Sequence, residues 1–167
     1  PSEPEAWDTF KVTDLFDLKR GHFHSIADLD SGPYPTISRV GTDNGLVGFY
    51  EIPESAEVWP AKTITVSSVT GDTFIQPVPF IATDNVVLCI LREAYRHLSL
   101  PSLVFIQHMI DQVKWRYSYG RQCYRGKFAV TEIVLPTKNG GKLDEGYMEA
   151  VVKSTPHWPL VNEVFSN

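Results

Sequence analysis

The chain lacks most of the residue patterns that announce a particular chemistry. Two cysteines, Cys89 and Cys123, are too few for a disulfide framework. Cys89 sits inside the apolar run Val86–Leu91 and reads as a small buried hydrophobe, while Cys123 lies in a basic stretch as a free thiol. That usage fits a reducing, cytoplasmic setting. No apolar run approaches the roughly 20 residues of a spanning helix, and nothing resembles a signal peptide. There is no starting Met, so the chain is expected to be a processed or excised piece. Gly-x-Ser-x-Gly, His-Glu-x-x-His and Gly-x-x-x-x-Gly-Lys are all missing. Their absence removes the nucleophile-elbow hydrolases, the zinc peptidases and the phosphate-cradling nucleotide hydrolases. Carboxylates are scattered rather than paired. His22 and His24, with Asp28 and Asp30 nearby, sketch a metal site and hence a small metal-dependent hydrolase, but a His-x-His pair in a loop is a weak signal.

What is present in quantity is a basic, aromatic stretch, Lys114-Trp115-Arg116-Tyr117-Ser118-Tyr119-Gly120-Arg121-Gln122-Cys123-Tyr124-Arg125-Gly126-Lys127. Five of the fifteen Lys and Arg residues fall here, and no acid intervenes between Asp111 and Glu132. The whole chain carries −5, so taking out this segment's +5 leaves −10 on the rest. A basic face on an acidic body concentrates attraction for phosphate at one surface. Cations interleaved with flat rings point to nucleic acid. The bland reading is a solvated stretch whose charges pair with scattered carboxylates.

Elements follow from periodicity and turn chemistry. Trp7–Val12 reads as a strand, and Leu15, Phe16 and Leu18 as a buried helical turn. Gly21 to Pro35 is expected to be loop. Thr36–Val40 and Leu46–Tyr50 form a hairpin about Asp43-Asn44-Gly45, because Asn-Gly tolerates positive φ. Residues 51–61 connect to Thr63–Ser67, with Ile64 and Val66 inward, and Gly71-Asp72 turns into Thr73–Gln76, with Phe74 inward. Val86–Leu91 is a strand covered on both faces. Pro101 opens a helix to about Trp115, with Leu103, Ile106, Ile110 and Val113 buried and Gln107, Asp111 and Lys114 in solvent. Phe128–Leu135 is a strand ended by Pro136. Asp144 caps a last helix with Met148, Val151 and Val152 on one side, stopped by Pro156 and Pro159. Strand pairs, then a helix, then strand and helix again predict an α+β fold. It is expected to be one domain over residues 1–167, with 1–6 and 154–167 as tails. The sheet is predicted to be a single twisted, largely antiparallel mixed sheet or semi-barrel, with one main helix and a short C-terminal one.

An ordered series of motifs resembles the target recognition domain of bacterial restriction-modification specificity subunits, both type I S subunits and fused type IIB and IIG enzymes. Trp7-x-x-Phe10 with Asp14-Leu15-Phe16 and Gly21 looks like the domain start. Gly32-Pro33-Tyr34-Pro35-Thr36-Ile37-Ser38 with Asn44-Gly45-Leu46-Val47-Gly48-Phe49 is similar to the family's hairpin. Thr63–Val66, Gly71, Phe74-Ile75-Gln76 and Pro79–Asp84 follow. Tyr117-Ser118-Tyr119-Gly120-Arg121, Ile133–Pro136, Gly141, Asp144 and Tyr147-Met148-Glu149 complete the series. After Gly120-Arg121 the chain departs from the family, carrying Gln122-Cys123-Tyr124. The long spacer helices between paired domains are missing, so the chain is expected to be one domain of a larger protein or a reduced relative.

The resemblance implies a non-catalytic module that reads double-stranded DNA and directs an adenine methyltransferase or endonuclease to its target. S-adenosylmethionine is then expected in the methyltransferase partner, with no cofactor or metal in this chain. Lys114, Arg116, Arg125 and Lys127 are expected on phosphates. Arg39, Tyr117, Ser118 and Arg121 are expected at base edges or in close backbone contact, and Ser38 and Tyr119 on the DNA as well; Tyr117 and Tyr119 equally read as core residues with buried rings and exposed hydroxyls. Asn44 has two readings, an adenine contact or simply the residue that its turn requires. The rival function is a protein-interaction module in which the helix 101–115 and the aromatic residues dock a partner chain.

Overall fold

The computed structural model describes residues 1–23, 25–54, 56–117 and 125–166, with Tyr117 described by its backbone. The chain opens with β1 (Ala6–Lys11), α1 (Val12–Leu15), β2 (Phe16–Arg20), β3 (Ser31–Ile37) and β4 (Leu46–Tyr50). It continues through β5 (Ile64–Ser67), β6 (Thr73–Ile75), β7 (Ile81–Ala82), β8 (Val86–Leu91) and α2 (Leu100–Asp111). Beyond the basic stretch come α3 (Arg125–Ala129), β9 (Glu132–Lys138), β10 (Lys142–Leu143), α4 (Glu145–Lys153) and α5 (Trp158–Ser166). The fold is α+β, as expected, but the strands divide into three small sheets rather than one. Their orders are β1-β9-β10, β2-β8-β5-β6 and β4-β3-β7. Pairing is antiparallel apart from β3 with β7.

The sheet β2-β8-β5-β6 is the middle layer, and its pleat explains why β8 is apolar throughout. Val87 and Cys89 point into a core shared with Ile64, Val66 and Ile75 and with Leu103, Ile106 and Ile110 of α2. Val86 and Leu88 point the other way, onto Ile37, Trp59, Phe80 and Ala82. Alternation along one strand therefore feeds two cores. The same register corrects the expectation for Phe74. Ile75 lies opposite Ile64 and Thr73 opposite Val66, which puts both on the α2 side, and Phe74 falls on the hairpin side, half-buried. Gln107 of α2 donates to the Thr73 carbonyl at 3.0 Å and its hydroxyl at 2.8 Å, so Gln107 serves the fold rather than solvent.

Several boundaries differ from expectation for local reasons. Part of the expected loop 21–35 is strand, since β3 starts at Ser31, and the expected turn over Leu15–Leu18 gives way to β2 at Phe16. Phe128 is in α3, fully buried, and not in a strand. β9 runs through Pro136 instead of stopping there. In extended chain the nitrogen and carbonyl of one residue point to the same side, and the Pro136 carbonyl accepts from Asp144 N at 2.9 Å. The missing N–H thus faces β10, and the ladder to β1 loses nothing. The expected tail contains α5, because Pro159 occupies its second position, where helical N–H groups have no partner to lose. Asp144 caps α4 by accepting from Tyr147 N at 3.0 Å, as its position implied. Among the described residues no helix is long and apolar enough to cross a membrane.

The helix α2 is a core element. Pro101, Ser102, Leu103, Phe105, Ile106 and Ile110 are buried, against β6, β9 and α4. Ser99 caps it, accepting from Ser102 N, and donates to Glu149 at 2.7 Å. That bond, opposed by burial and aided by Lys153, holds the Glu149 carboxyl below the ordinary range. The tie between α2 and α4 is accordingly present above the normal carboxylate pKa and is lost as pH falls through the lowered one.

Candidate nucleic-acid interface

One end of the middle sheet gathers connections from distant parts of the chain. β2 ends there at Arg20, β5 ends at Ser67, β6 begins at Thr73 and β8 begins at Val86. The tip of the β3–β4 hairpin lies against the same end. Ser67 Oγ donates to the Arg39 carbonyl at 3.1 Å, and Thr83 Oγ1 donates to Ser38 Oγ at 3.3 Å. Ser68 N donates to the Asn85 carbonyl at 2.9 Å, joining the loop 67–72 to the turn between β7 and β8. Close approach is built in at Gly21, where an added Cβ would stand 1.9 Å from the Thr83 carbonyl oxygen. Only glycine lets the end of β2 run so near residues 82 and 83.

The hairpin turn is locked from inside. Asp43, Asn44 and Gly45 all have positive φ, at 51°, 57° and 80°. The Asn44 side-chain amide donates to the Ile75 carbonyl at 3.1 Å and to Gln76 Oε1 at 3.2 Å. Buried Gln76 returns a bond to the Asn44 carbonyl at 2.9 Å and donates to Thr65 Oγ1 at 3.0 Å. Of the two readings for Asn44, the turn accounts for both its backbone and its amide donors, leaving none for adenine. Arg39, by contrast, is exposed at the tip.

The basic segment begins and ends at this same end of the sheet. Lys114 follows α2 and reaches Asp72 and Asp111, each at 3.3 Å. Burial pulls its pKa down, but the two aspartates outweigh this and hold the ammonium above the ordinary lysine value. The lysine's contribution to the pair is therefore present below that raised pKa and is lost as pH rises through it. A lysine paired with two carboxylates presents less net charge to a phosphate than an unpaired one. Arg116 is exposed, with its guanidinium 5.6 Å from the ring centroid of Trp115, itself 63% exposed. Tyr117 closes a 3-10 turn by its backbone. Ser118, Tyr119 and Arg121 lie outside the described residues, as do Cys123 and His24. Arg125 opens α3, which packs against β2 beside Arg20, and Lys127 is exposed two residues on. Among the described residues, Arg39, Arg116, Arg125 and Lys127 have no carboxylate partner.

Three residues escaped the sequence reading. Arg20, Ser68 and Asn85 line a hollow of about 390 Å³ together with Arg125. They come from three separate segments, and no local pattern joins them. A neighbouring open groove of about 750 Å³ is bordered by Lys19, His22, Glu57 and Trp59. His22 stacks on Trp59 with centroids 5.5 Å apart, and its Nδ1 accepts from Glu57 N at 3.2 Å. One ring nitrogen of His22 is thus already occupied. Among the described residues no three or more His, Cys, Asp or Glu are grouped to hold a metal.

Known proteins place this arrangement. The chain is 24% identical over 144 residues to the specificity subunit of a type II restriction enzyme, S.BcgI, from Heyndrickxia coagulans, covering 86% of the chain and 42% of that subunit. Its fold is similar to the HsdS subunit of Thermoanaerobacter tengcongensis, with a TM-score of 0.65 at 10% identity, over 99% of the chain and 40% of that subunit. A type I restriction-modification S subunit from M. genitalium gives the same TM-score and identity over 97% of the chain and 42% of its own length. The chain therefore spans about two-fifths of the length of these relatives. The model of the type I restriction modification DNA specificity domain matches residues 4–155, and the chain belongs to that family.

Proposed function

We propose that the chain reads one half of a split target in double-stranded DNA, presenting the gathered end of its middle sheet to the duplex. In this reading it directs an adenine methyltransferase or endonuclease, supplied by a partner subunit or fused domain, to that site. The methyl donor S-adenosylmethionine belongs to the methyltransferase, and this chain selects rather than catalyses. The observation that carries the reading is the convergence of the hairpin tip, the loop 67–72, the turn 83–86 and both flanks of the basic segment on one surface. Arg116, Arg125 and Lys127 hold phosphates and set register, while Arg39 reaches a base edge. Lys114 positions the loop 67–72 through Asp72 rather than gripping DNA. Ser38 fixes the hairpin against Thr83. Tyr117, Ser118, Tyr119 and Arg121 remain base-contacting assignments of the basic segment.

The rival protein-docking reading loses its helix, because α2 is buried in the core, and is left with exposed aromatic residues such as Trp115. Selection from a random duplex library tests the function, using the specificity subunit that contains this chain together with its methyltransferase. A defined half-site should be enriched, with affinity falling steeply as salt rises. Enrichment of no sequence at any ionic strength would overturn the proposal.

A further inference from the structure

The hollow beside β2 separates its polar groups by depth. Ser68 and Asn85 are half-buried, whereas Arg20 and Arg125 are exposed at its border. Asn85 belongs to the turn Thr83–Val86, closed by Val86 N donating to the Thr83 carbonyl at 3.1 Å. Its own carbonyl is pinned by Ser68 N at 2.9 Å, and Asp84 N donates to the Phe23 carbonyl at 2.8 Å. The turn is therefore held from three sides, while the Asn85 amide and the Ser68 hydroxyl make no hydrogen bond among the described residues. The contrast with Asn44 is direct. Asn44 has positive φ and spends its amide donors on Ile75 and Gln76, whereas Asn85 has no positive φ and its side-chain amide has no partner among the described residues.

A half-buried amide on a pinned turn, with no hydrogen-bond partner among the described residues, is a recognition group whose backbone loses little freedom when a ligand arrives. Donor and acceptor side by side suit a base edge that offers an acceptor next to an amino group, as adenine does with N7 and N6. Arginines at the border suit the phosphates flanking that base.

We propose that Asn85, supported by Ser68, reads an adenine edge in the major groove, while Arg20 and Arg125 grip the adjoining phosphates. This rests on the DNA-reading function proposed above. The test is the random-duplex selection repeated on the full specificity subunit with its methyltransferase, comparing the unaltered protein with Asn85→Ala, Ser68→Ala and Arg20→Ala. Asn85→Ala removes no internal bond among the described residues, so the fold should survive. It should erase the preference at one position of the half-site by roughly ten- to a hundredfold and leave the others unchanged. Ser68→Ala should weaken that same position. Arg20→Ala should keep the motif, lower affinity for every sequence and reduce the slope of log affinity against log salt by about 0.9. If Asn85→Ala leaves every preference intact, or lowers all of them equally, the assignment is wrong while DNA reading stands. If the unaltered protein enriches nothing, DNA reading itself has failed.

Discussion

Gln76→Leu should lower the free energy of unfolding by about 3 kcal/mol, because it strands one buried and one half-buried acceptor at once. The Gln76 amide donates to the Asn44 carbonyl and to Thr65 Oγ1, and its own oxygen receives the Asn44 amide. Leucine fills much of the same space but satisfies none of these. Asn44 keeps only its bond to the Ile75 carbonyl, so the hairpin turn loses most of what fixes it to the middle sheet. The effect should appear in urea denaturation as a lower midpoint with an unchanged slope. It should also appear in DNA binding by the folded variant, since Arg39 rides on the loosened tip. A midpoint equal to that of the unaltered protein would mean that the hairpin is held by other contacts.

The second large effect concerns charge. Arg116, Arg125 and Lys127 are exposed, and none has a carboxylate partner among the described residues. Replacing all three with alanine should reduce the slope of log affinity against log salt by about 2.7, at roughly 0.9 for each phosphate contact. Every duplex should be bound more weakly, and the order of preference among sequences should not change. Lys114→Ala is the internal contrast, because its charge is already spent on Asp72 and Asp111. Its effect on the slope should be much the smaller. Equal effects from Lys114 and from Arg125 alone would show that the ion pairs do not persist at the interface.

What was legible in the chain was whatever short-range pattern decides. The spacing of Leu103, Ile106 and Ile110 predicts α2, the unbroken run at 86–91 predicts a strand covered on both faces, and Asp43-Asn44-Gly45 predicts a turn. Each depends on neighbours within a few residues. Phe74 was misplaced because alternation gives two faces without saying which one α2 will cover. Pro136 and Pro159 were misread as stops, since a proline breaks an element only where its missing N–H was needed. The side of β9 that needs no donor, and the second residue of α5, are properties of tertiary context. The candidate site divides in the same way. The basic stretch is dense enough to see in sequence, and its ring-and-cation composition pointed to nucleic acid. That Lys114 is neutralised depends on Asp72, 42 residues away. The hollow of Arg20, Ser68 and Asn85 depends on three strand ends meeting, and no spacing rule carries that information.

Amide hydrogen exchange on the specificity subunit containing this chain, with and without its selected duplex, tests most directly whether the gathered end of the middle sheet faces DNA. Protection gained on binding should concentrate in residues 38–45, 67–72, 83–86 and 125–127. Protection confined to α4, α5 or the outer face of β1 and β9, with those four segments unchanged, would contradict it.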